Sequence, residues 1–312
     1  QIMTTKESNS NSSVSVFHDF HPSPYGGGNQ FMTALTAEFE RRGLRVEKNK
    51  VSDNTAACLF NSFNFDFNKL LKIGNNYPIR MIHRVDGPVD KYRGDTRGVD
   101  KEIWELNKNI ADTTIFQSKY SLNAHKSLGM EFANPCVISN AVDPSIFYSS
   151  GTTVNCGQSR KIKLISSSWS DNLNKGAHVY KWLEDNLDWD KYEYTFVGRS
   201  PIKFNKITMI APMNSVSLSD LLREHDIYIT ASMHDPCSNA LIEALACGLP
   251  AIVANSGGHP ELIGRAGYTY DDKFEIPDLI EELVSQYVIR QKNIEIQSLF
   301  EVGNHYMNVL GF

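Results

Sequence analysis

The sequence lacks any run of 18 apolar residues, so it predicts no membrane-spanning helix. A long uncharged stretch, residues 244–258, is interrupted by Pro250 and several glycines. An excess of basic residues is also missing: 31 Lys and Arg stand against 36 Asp and Glu, and the net charge is −5. Proteins that bind DNA or RNA contact phosphates with a basic surface. We therefore expect no nucleic-acid partner.

The five cysteines form no CxxC pair and no Cys/His cluster with zinc spacing. Their odd number also argues against a complete disulfide framework, and a reducing, cytoplasmic setting is the expectation that follows. Residues 1–12 are polar, contain no apolar segment typical of a signal peptide and are predicted to form a disordered tail.

From residue 14 onward, short β-branched or aromatic runs alternate with segments of helical period, which predicts βαβ units and parallel sheets. A turn-rich polar passage at 148–160 interrupts this alternation, and we place a domain boundary there, between residues 13–150 and 151–312. The predicted strands are 14–19, 44–48, 56–61, 79–85, 113–117 and 136–139 in the first domain, and 161–166, 192–198, 207–211, 226–231 and 250–254 in the second.

Two surface features bear on possible partners. An apolar stripe runs from Ile276 to Val288 on a predicted C-terminal helix and should cover the second sheet. Residues 69–101 contain eight basic and four acidic residues. This stretch is either an ordinary solvated surface or the lip of a site for an anionic substrate, and a peripheral membrane contact is compatible with it.

The segment 226–262 carries the clearest chemical signal. After a buried strand, Asp235 and Pro236 have the pattern of a helix N-cap and first helical residue. The N–H groups of Cys237, Ser238 and Asn239 would then form an anion site at the carboxyl end of a parallel strand. Eight residues separate Asp235 from Glu243, so one carboxylate could bind the hydroxyls of a transferred sugar and the other a ribose diol. From these residues alone, a simple cap and a surface charge remain equally good interpretations.

This segment resembles the retaining family 4 glycosyltransferases of GT-B fold, also described as glycosyl transferases group 1. Their hallmark is two glutamates separated by seven residues, followed by an EAxAxGxP phrase and a GGxxE turn. Here the phrases are DPCSNALIEALACGLP and SGGHPEL, with Asp235 in place of the first glutamate. The resemblance implies that this region binds a nucleotide sugar, with Asp235 at the sugar and Glu243 at the ribose.

Further phrases extend the resemblance over about residues 14–290. HPSPYGGGNQ is similar to the family's glycine-rich loop, where Gly26, Gly27 and Gly28 would let the backbone approach the donor. Lys175 matches a lysine that contacts the donor diphosphate. Trp169 and Ser170 stand near the usual place of a partner arginine, and Arg199 is either its replacement or a strand-edge residue. The strand that ends in HRVDGP brings His83 to the place of a histidine that faces the reacting sugar, with Arg84 and Asp86 on the acceptor side.

The fold that the resemblance implies is α/β, with two Rossmann-like domains whose parallel sheets face each other across a cleft. The second domain would bind the nucleotide-diphosphate sugar, and the first would bind a glycan or lipid-linked acceptor. Transfer would proceed with retention, with His83, Asp235 and Lys175 as catalytic residues, and without a metal or cofactor. A metal-binding role for Asp188-Trp189-Asp190 is disfavoured because this turn lies at the amino end of the predicted strand 192–198, whereas parallel sheets bind ligands at the carboxyl ends of their strands. A phosphorylase or hydrolase of the same fold and a non-catalytic sugar-nucleotide or glycan-binding protein are the alternatives.

Overall fold

A computed structural model describes residues 12–63, 65–94, 96–151 and 160–312. Most of the predicted tail and residues 152–159 of the predicted boundary passage lie outside the described residues. Within the described ranges, no helix combines the length and the apolar character needed to cross a membrane.

The first domain is built on a six-stranded sheet with the order β2-β1-β3-β4-β5-β6, in which every neighbouring pair is parallel. Its strands lie close to the predicted ones, and the four central strands are short, mostly buried runs. They are β1 (Ser13–Phe17), β2 (Arg45–Lys48), β3 (Thr55–Phe60), β4 (Arg80–Val85), β5 (Thr113–Phe116) and β6 (Pro135–Val137).

Helices cover both faces of this sheet, as parallel sheets require. Phe31, Leu35 and Phe39 of the first helix pack against Val14 and Val16 of β1. The opposite face packs against Leu70 and Leu106 from two later helices. The described helices of this half are α1 (Gly27–Arg41), α2 (Phe67–Asn76), α3 (Val89–Arg93), α4 (Val99–Ile110) and α5 (Lys119–Ser127).

The second domain repeats the arrangement with the order β12-β11-β10-β7-β8-β9, again parallel throughout. Five of its strands were predicted. The edge strand Gly267–Tyr270 was not, because it is only four residues long and half of it is not buried. The strands are β7 (Ile162–Ser168), β8 (Tyr192–Gly198), β9 (Thr208–Ile210), β10 (Ile227–Thr230), β11 (Ala251–Ala254) and β12 (Gly267–Tyr270).

The helices of the second half confirm the predicted C-terminal stripe as far as Tyr287, whereas Val288 is exposed. Ile276, Ile280, Leu283 and Tyr287 pack in one cluster with Ile227 and Ile229 of β10. These helices are α6 (Ala177–Asn186), α7 (Ser215–Arg223), α8 (Asn239–Ala246), α9 (His259–Ile263), α10 (Ile276–Ser285) and α11 (Tyr287–Lys292), with 3-10 turns at Leu173–Lys175 and Lys273–Glu275.

The last helix, α12 (Leu299–Leu310), does not follow the predicted division at residues 150 and 151. Its apolar residues Leu299, Val302, Tyr306 and Leu310 pack in the cluster that contains Val14 of β1 and Phe31 of α1. A capping box between Ser298 and Glu301 starts the helix on this side. The chain therefore returns to the first domain, because α10 already covers the second sheet at that face while the first sheet still offers an apolar surface.

Candidate active site

The glycine-rich loop forms the start of α1, at the carboxyl end of β1. Gly26 is the residue before the helix, and its carbonyl accepts hydrogen bonds from the N–H groups of Asn29 and Gln30. Gly27 lies against the second domain so closely that a Cβ there would be 2.6 Å from Cβ of Asn239. A glycine is required because any side chain would push the two domains apart. The loop therefore brings the positive end of a 15-residue helix to the junction of the domains.

An open cavity of about 100 Å³ lies between this loop and the second sheet. Loops from the carboxyl ends of β1, β7 and β8 surround it, which is where parallel sheets place their ligands. The first domain contributes Pro24, Tyr25, Gly26, Gly27 and Gln30, and the second contributes Ser167, Ser168, Trp169, Val197, Gly198, Pro212, Met213, Ser215, Leu218, Ala240 and Glu243. The structure thus brings Gly26, Gly27 and Glu243 together as predicted, whereas Gly28 is not among the lining residues.

Glu243 is an unusual acid because no group in the described part of the chain compensates its charge. It lies on α8, one turn after Ala240, and only 8% of the residue is exposed. Its carboxylate accepts no hydrogen bond and forms no ion pair within the part of the chain that the structure describes. Burial therefore raises its pKa from 4.5 to about 8. A buried, unpaired carboxyl group that lines a cavity is ready to accept hydrogen bonds from hydroxyl groups of a ligand.

The predicted helix start at Asp235 is wrong. Helix α8 begins at Asn239, and Ser238 is its N-cap, with its hydroxyl accepting from the N–H of Leu241. Residues 235 and 236 are held instead by a turn: the N–H of Gly258 donates to the carbonyl of Asp235 at 2.8 Å. Gly257 in this turn has φ +63°, and a Cβ there would lie 2.2 Å from the same carbonyl oxygen. The paired glycines of SGGHPEL are needed for this contact.

Asp235 is also engaged by side-chain contacts. Its carboxylate accepts from the N–H of Cys237 at 3.2 Å and pairs with the ammonium of Lys175 at 3.0 Å. Burial would raise its pKa, but Lys175, His259 and the N–H of Cys237 together outweigh burial and lower the pKa. The N–H of Cys237 is therefore occupied, contrary to the prediction. The first-turn N–H groups of Asn239 and Ala240 have no acceptor inside α8, so the N–H groups available at this helix start lie slightly later in the chain than predicted.

On the side of β7 and β8, Trp169 lines the cavity, whereas Lys175 and Arg199 are not among the lining residues. Lys175 is about one-third exposed and already neutralised by Asp235. The guanidinium of Arg199 lies 4.8 Å from the ring centroid of Trp169, a cation–π contact. The indole in turn approaches Tyr25 of the glycine-rich loop at 5.7 Å between ring centroids. Trp169 thus holds Arg199 near the cavity, where the Arg199 side chain is exposed.

His83 does not face the cleft, and this prediction is wrong. The residue is completely buried, its ring stacks on Phe60 at 4.3 Å, and its Nδ1 lies 3.1 Å from the amide nitrogen of Asn107 on α4. Burial lowers its pKa to about 3. Helices cover both faces of a parallel sheet, so a histidine near a strand end can point into a core as easily as into a cleft. A catalytic role for this side chain is not compatible with its position.

Arg84 and Asp86 differ in position although the sequence predicted both for the acceptor side. Arg84 is only 1% exposed and donates to Asn61, Asn140 and Asp86, so it contacts no acceptor. The carboxylate of Asp86 is partly exposed. Burial raises its pKa against the effect of Arg84 and Arg93, and the charge of Asp235 adds to the increase. Asp86 thus remains a candidate for contact with a substrate, and Arg84 does not.

Glu261, the last residue of the GGxxE turn, has a position that sequence reasoning missed. Its two carboxylate oxygens accept from the N–H groups of Lys119 and Tyr120, the first residues of α5, at 2.9 and 2.8 Å. An acid of the second domain therefore caps a helix of the first. The phenol of Tyr120 lies 3.2 Å from Nδ1 of His234, next to Asp235. No local sequence signal predicts a cap that is supplied from 141 residues away.

No metal-ligand cluster is found at the site. In the described ranges, no three His, Cys, Asp or Glu side chains are grouped so that they could hold a metal ion. Asp188 and Asp190 belong to a tight turn before β8, in which the N–H of Asp190 donates to the Asp188 carboxylate. This turn lies at the amino end of the strand, as predicted, and away from the cavity.

Comparison with known proteins defines the fold and the family likeness. Residues 187–286, which include Asp235 and Glu243, match the family model for glycosyl transferases group 1. The predicted resemblance to these enzymes is confirmed. CapJ of Staphylococcus aureus is 26% identical over 203 residues, which are 60% of this chain and 50% of CapJ. Spore coat protein SA of Bacillus subtilis is 30% identical over 108 residues, 34% of this chain and 28% of that protein. The chain therefore spans half or less of the length of these relatives.

Solved structures match almost the whole chain. Anabaena HepE in complex with UDP-glucose superposes with a TM-score of 0.67 and 13% identity, covering 95% of each chain. WaaG, a glycosyltransferase involved in lipopolysaccharide biosynthesis, gives a TM-score of 0.66 and 13% identity over 96% of this chain and 99% of its own. At this identity the likeness concerns the fold, and the predicted GT-B fold is confirmed.

Proposed function

We propose that this chain transfers a sugar from a nucleotide-diphosphate sugar to a hydroxyl group of a glycan or lipid-linked acceptor, with retention and without a metal. The observation that carries the proposal is Glu243, an uncompensated carboxyl group in a cavity between the glycine-rich loop and the second sheet. A ribose diol provides the two donors that this group lacks. HepE, which shares the fold, is described in complex with UDP-glucose.

The rest of the cavity fits a diphosphate. The N-terminus of α1 and the first turn of α8 both direct free N–H groups and positive helix ends toward the cleft. Lys175 and Arg199 add two cations near the rim. Asp235 accepts hydroxyl groups of the transferred sugar and at the same time fixes the ammonium of Lys175.

The chemistry follows from this arrangement. In the proposed reaction, the bond between the anomeric carbon and the phosphate oxygen breaks while the acceptor oxygen bonds to the same face of that carbon. The acceptor proton passes to the leaving phosphate. The protein positions the two reactants and stabilises the charge that develops on the phosphate. Asp86, on the first-domain side, is suited to a hydroxyl of the acceptor, and His83 has no part in this step.

A non-catalytic sugar-nucleotide-binding protein is the second candidate function. It is favoured by one observation: Lys175 is already paired with Asp235, so its charge is only partly available to a diphosphate. Such a protein would bind the donor and leave the glycosidic bond intact.

The test is binding followed by turnover. Thermal shifts are measured with UDP, GDP, ADP, CDP and TDP, with and without Mg²⁺, on the wild type, Glu243→Gln and Glu193→Ala, a control at an exposed position of β8. One diphosphate should stabilise the wild type and the control without Mg²⁺, and at the same concentration it should stabilise Glu243→Gln much less. A ligand at a hundred times its Kd adds about 2.7 kcal/mol, which a melting curve resolves.

Turnover separates the two candidate functions. Release of free diphosphate from the matching nucleotide sugar, in the presence of acceptor saccharides, supports transfer. If the nucleotide sugar binds but no diphosphate is released with any acceptor saccharide, the result supports a non-catalytic binding protein. Absence of any thermal shift would overturn both.

A further inference from the structure

A buried polar network crosses from the first domain to α8. At its centre is Arg84, whose guanidinium is enclosed and lies 4.9 Å from the ring centroid of Phe31. Its Nη2 donates to Oδ1 of Asn140 at 2.8 Å, and its Nη1 donates to Oδ1 of Asn61 at 2.7 Å. A guanidinium has donors only, so both asparagines must turn their oxygen atoms toward it.

The direction of the next hydrogen bond follows from this constraint. With Oδ1 of Asn140 facing Arg84, its Nδ2 faces the second domain and donates to Oδ1 of Asn239 at 3.1 Å. The same Nδ2 donates to Oε1 of Gln117 at 3.0 Å. The amide nitrogen of Gln117 donates to the carboxylate of Asp86, which accepts only. Arg84, which only donates, therefore fixes the oxygen side of the Asn140 amide. Asp86, which only accepts, fixes the nitrogen side through Gln117.

Asn239 is oriented in turn. Because its Oδ1 is occupied by Asn140, its Nδ2 points away from that contact, toward the glycine-rich loop. A Cβ on Gly27 would lie 3.0 Å from this Nδ2. Among the described residues, Nδ2 of Asn239 donates to no protein group. Its neighbours Gly27 and Ala240 both line the cavity.

We propose that Arg84, acting through Asn140, orients the side-chain amide of Asn239 so that its NH₂ group donates to the diphosphate of the nucleotide sugar. This inference rests on the proposed function and assigns one residue that contacts the ligand and two that position it. It also explains why an arginine is buried at a strand end where it contacts no substrate. The side-chain amide complements the backbone N–H groups at the start of α8.

The variant Asn140→Asp tests the relay without removing bulk. The new carboxylate keeps one oxygen on Arg84 and presents a second oxygen to Asn239, where the wild type presents Nδ2. Asn239 must then turn its NH₂ group toward residue 140 and its oxygen toward the cavity. We expect the Kd for UDP to rise at least tenfold, since a hydrogen bond to a charged group becomes a repulsion. The Kd for uridine, which carries no phosphate, should change less than twofold.

Matched variants separate this effect from a general disturbance. Asn61→Asp places the same charge against the same guanidinium on the side away from Asn239, and it should leave the ratio of UDP to uridine affinity unchanged. Asn239→Asp removes the donor directly and should reproduce the loss seen with Asn140→Asp. Calorimetric titration of the folded variants, checked by melting, measures these ratios.

The outcomes are distinct. If Asn140→Asp binds UDP as tightly as the wild type, or loses uridine and UDP equally, the relay is overturned while the proposed function stands. If the wild type binds no nucleoside diphosphate, the proposed function fails together with this inference. If Asn61→Asp lowers the UDP to uridine ratio as strongly as Asn140→Asp, the effect is one of charge at Arg84, and the orientation argument is overturned.

Discussion

Two buried glutamates of the second domain, Glu184 and Glu243, have opposite environments. Glu184 on α6 is only 1% exposed, and one of its oxygens accepts from the N–H groups of Asn205, Lys206 and Ile207. Its other oxygen pairs with Lys181 at 2.7 Å. Burial alone would raise its pKa, but Lys181 and these N–H groups outweigh burial and lower the pKa to about 2. Glu243 is buried to a similar degree without a partner, and its pKa rises to about 8.

The difference teaches how to distinguish a structural carboxylate from one kept for a ligand. Glu184 has its hydrogen bonds supplied by the turn before β9 and holds that turn in place. Glu243 lines a cavity, and nothing in the described chain donates a hydrogen bond to its carboxyl group. Burial therefore disfavours the charged form and keeps the group largely neutral at pH 7. Such a site destabilises the protein without ligand. A ligand that donates hydrogen bonds to the carboxyl group offsets this destabilisation. The predictions below test this contrast.

The largest effect on stability is expected at Glu184. Replacing it with Ala leaves three backbone N–H groups without their acceptor and removes one of the two acids that pair with Lys181. This should lower the free energy of unfolding by about 3 kcal/mol. Urea unfolding at pH 7 measures this change. Glu193→Ala, at an exposed position of β8, should stay within about 0.5 kcal/mol. Equal losses at the two positions would show that Glu184 is not a structural carboxylate.

Replacing Glu243 should have the opposite effect and raise the free energy of unfolding. Its pKa is raised in the folded state, so the stability that the neutral form contributes is fully present below pH 4.5 and is lost as the pH rises to about 8. Glu243→Gln removes this titration, and the variant should be more stable than the wild type at pH 8 by about 1–2 kcal/mol, because water in the cavity screens part of the effect. The two proteins should be equally stable at pH 4.5. Urea unfolding at both pH values measures the difference. If the wild type is more stable than Glu243→Gln at pH 8, Glu243 is not an uncompensated carboxyl group.

The positions of the strands along the chain show what could be predicted from the sequence. Short aromatic or β-branched runs such as Tyr192–Gly198 and Ala251–Ala254 are local signals, and the structure places strands there. The glycine-rich loop and Glu243 could be assigned to one cavity because parallel strands bring their carboxyl ends to one edge. These features depend on local pattern and on a topological rule, and both are present in the sequence.

The errors have a common physical cause, which is competition from distant parts of the chain. Asp235-Pro236 has the local pattern of a helix start, but the turn at Gly257 and Gly258 takes its backbone hydrogen bond and moves the start to Asn239. His83 points into a core because α4 supplies Asn107 on that face. The return of α12 to the first sheet depends on which apolar surface is still uncovered. None of these competitions can be read from the segment itself.

Ligand binding should reverse the state of Glu243. Hydroxyl groups of a ribose stabilise the carboxylate form, so binding of UDP at pH 7 should lower the pKa of Glu243 and release up to about one proton. The affinity should therefore increase as the pH rises toward 8. Calorimetric titrations in two buffers with different heats of ionisation measure the protons released. At UDP concentrations high enough to saturate both proteins, Glu243→Gln should release about one proton fewer than the wild type, because only the phosphate protons of UDP then contribute.

The smallest effect on stability is expected at the third acid, Asp235, which lies between the two extremes because it has one charged partner. Lys175→Met removes that partner, and the pKa of Asp235 should rise, since Lys175 is the main influence that opposes burial. Lys175 is about one-third exposed, so the free energy of unfolding at pH 7 should fall by less than about 1 kcal/mol. If Asp235 then behaves like Glu243, the stability of the variant will decrease more steeply than that of the wild type as the pH rises from 4 to 7. Parallel curves for the two proteins would mean that the hydrogen bond from Cys237 is sufficient to keep Asp235 ionised, and that a single backbone donor already separates a structural carboxylate from an uncompensated one.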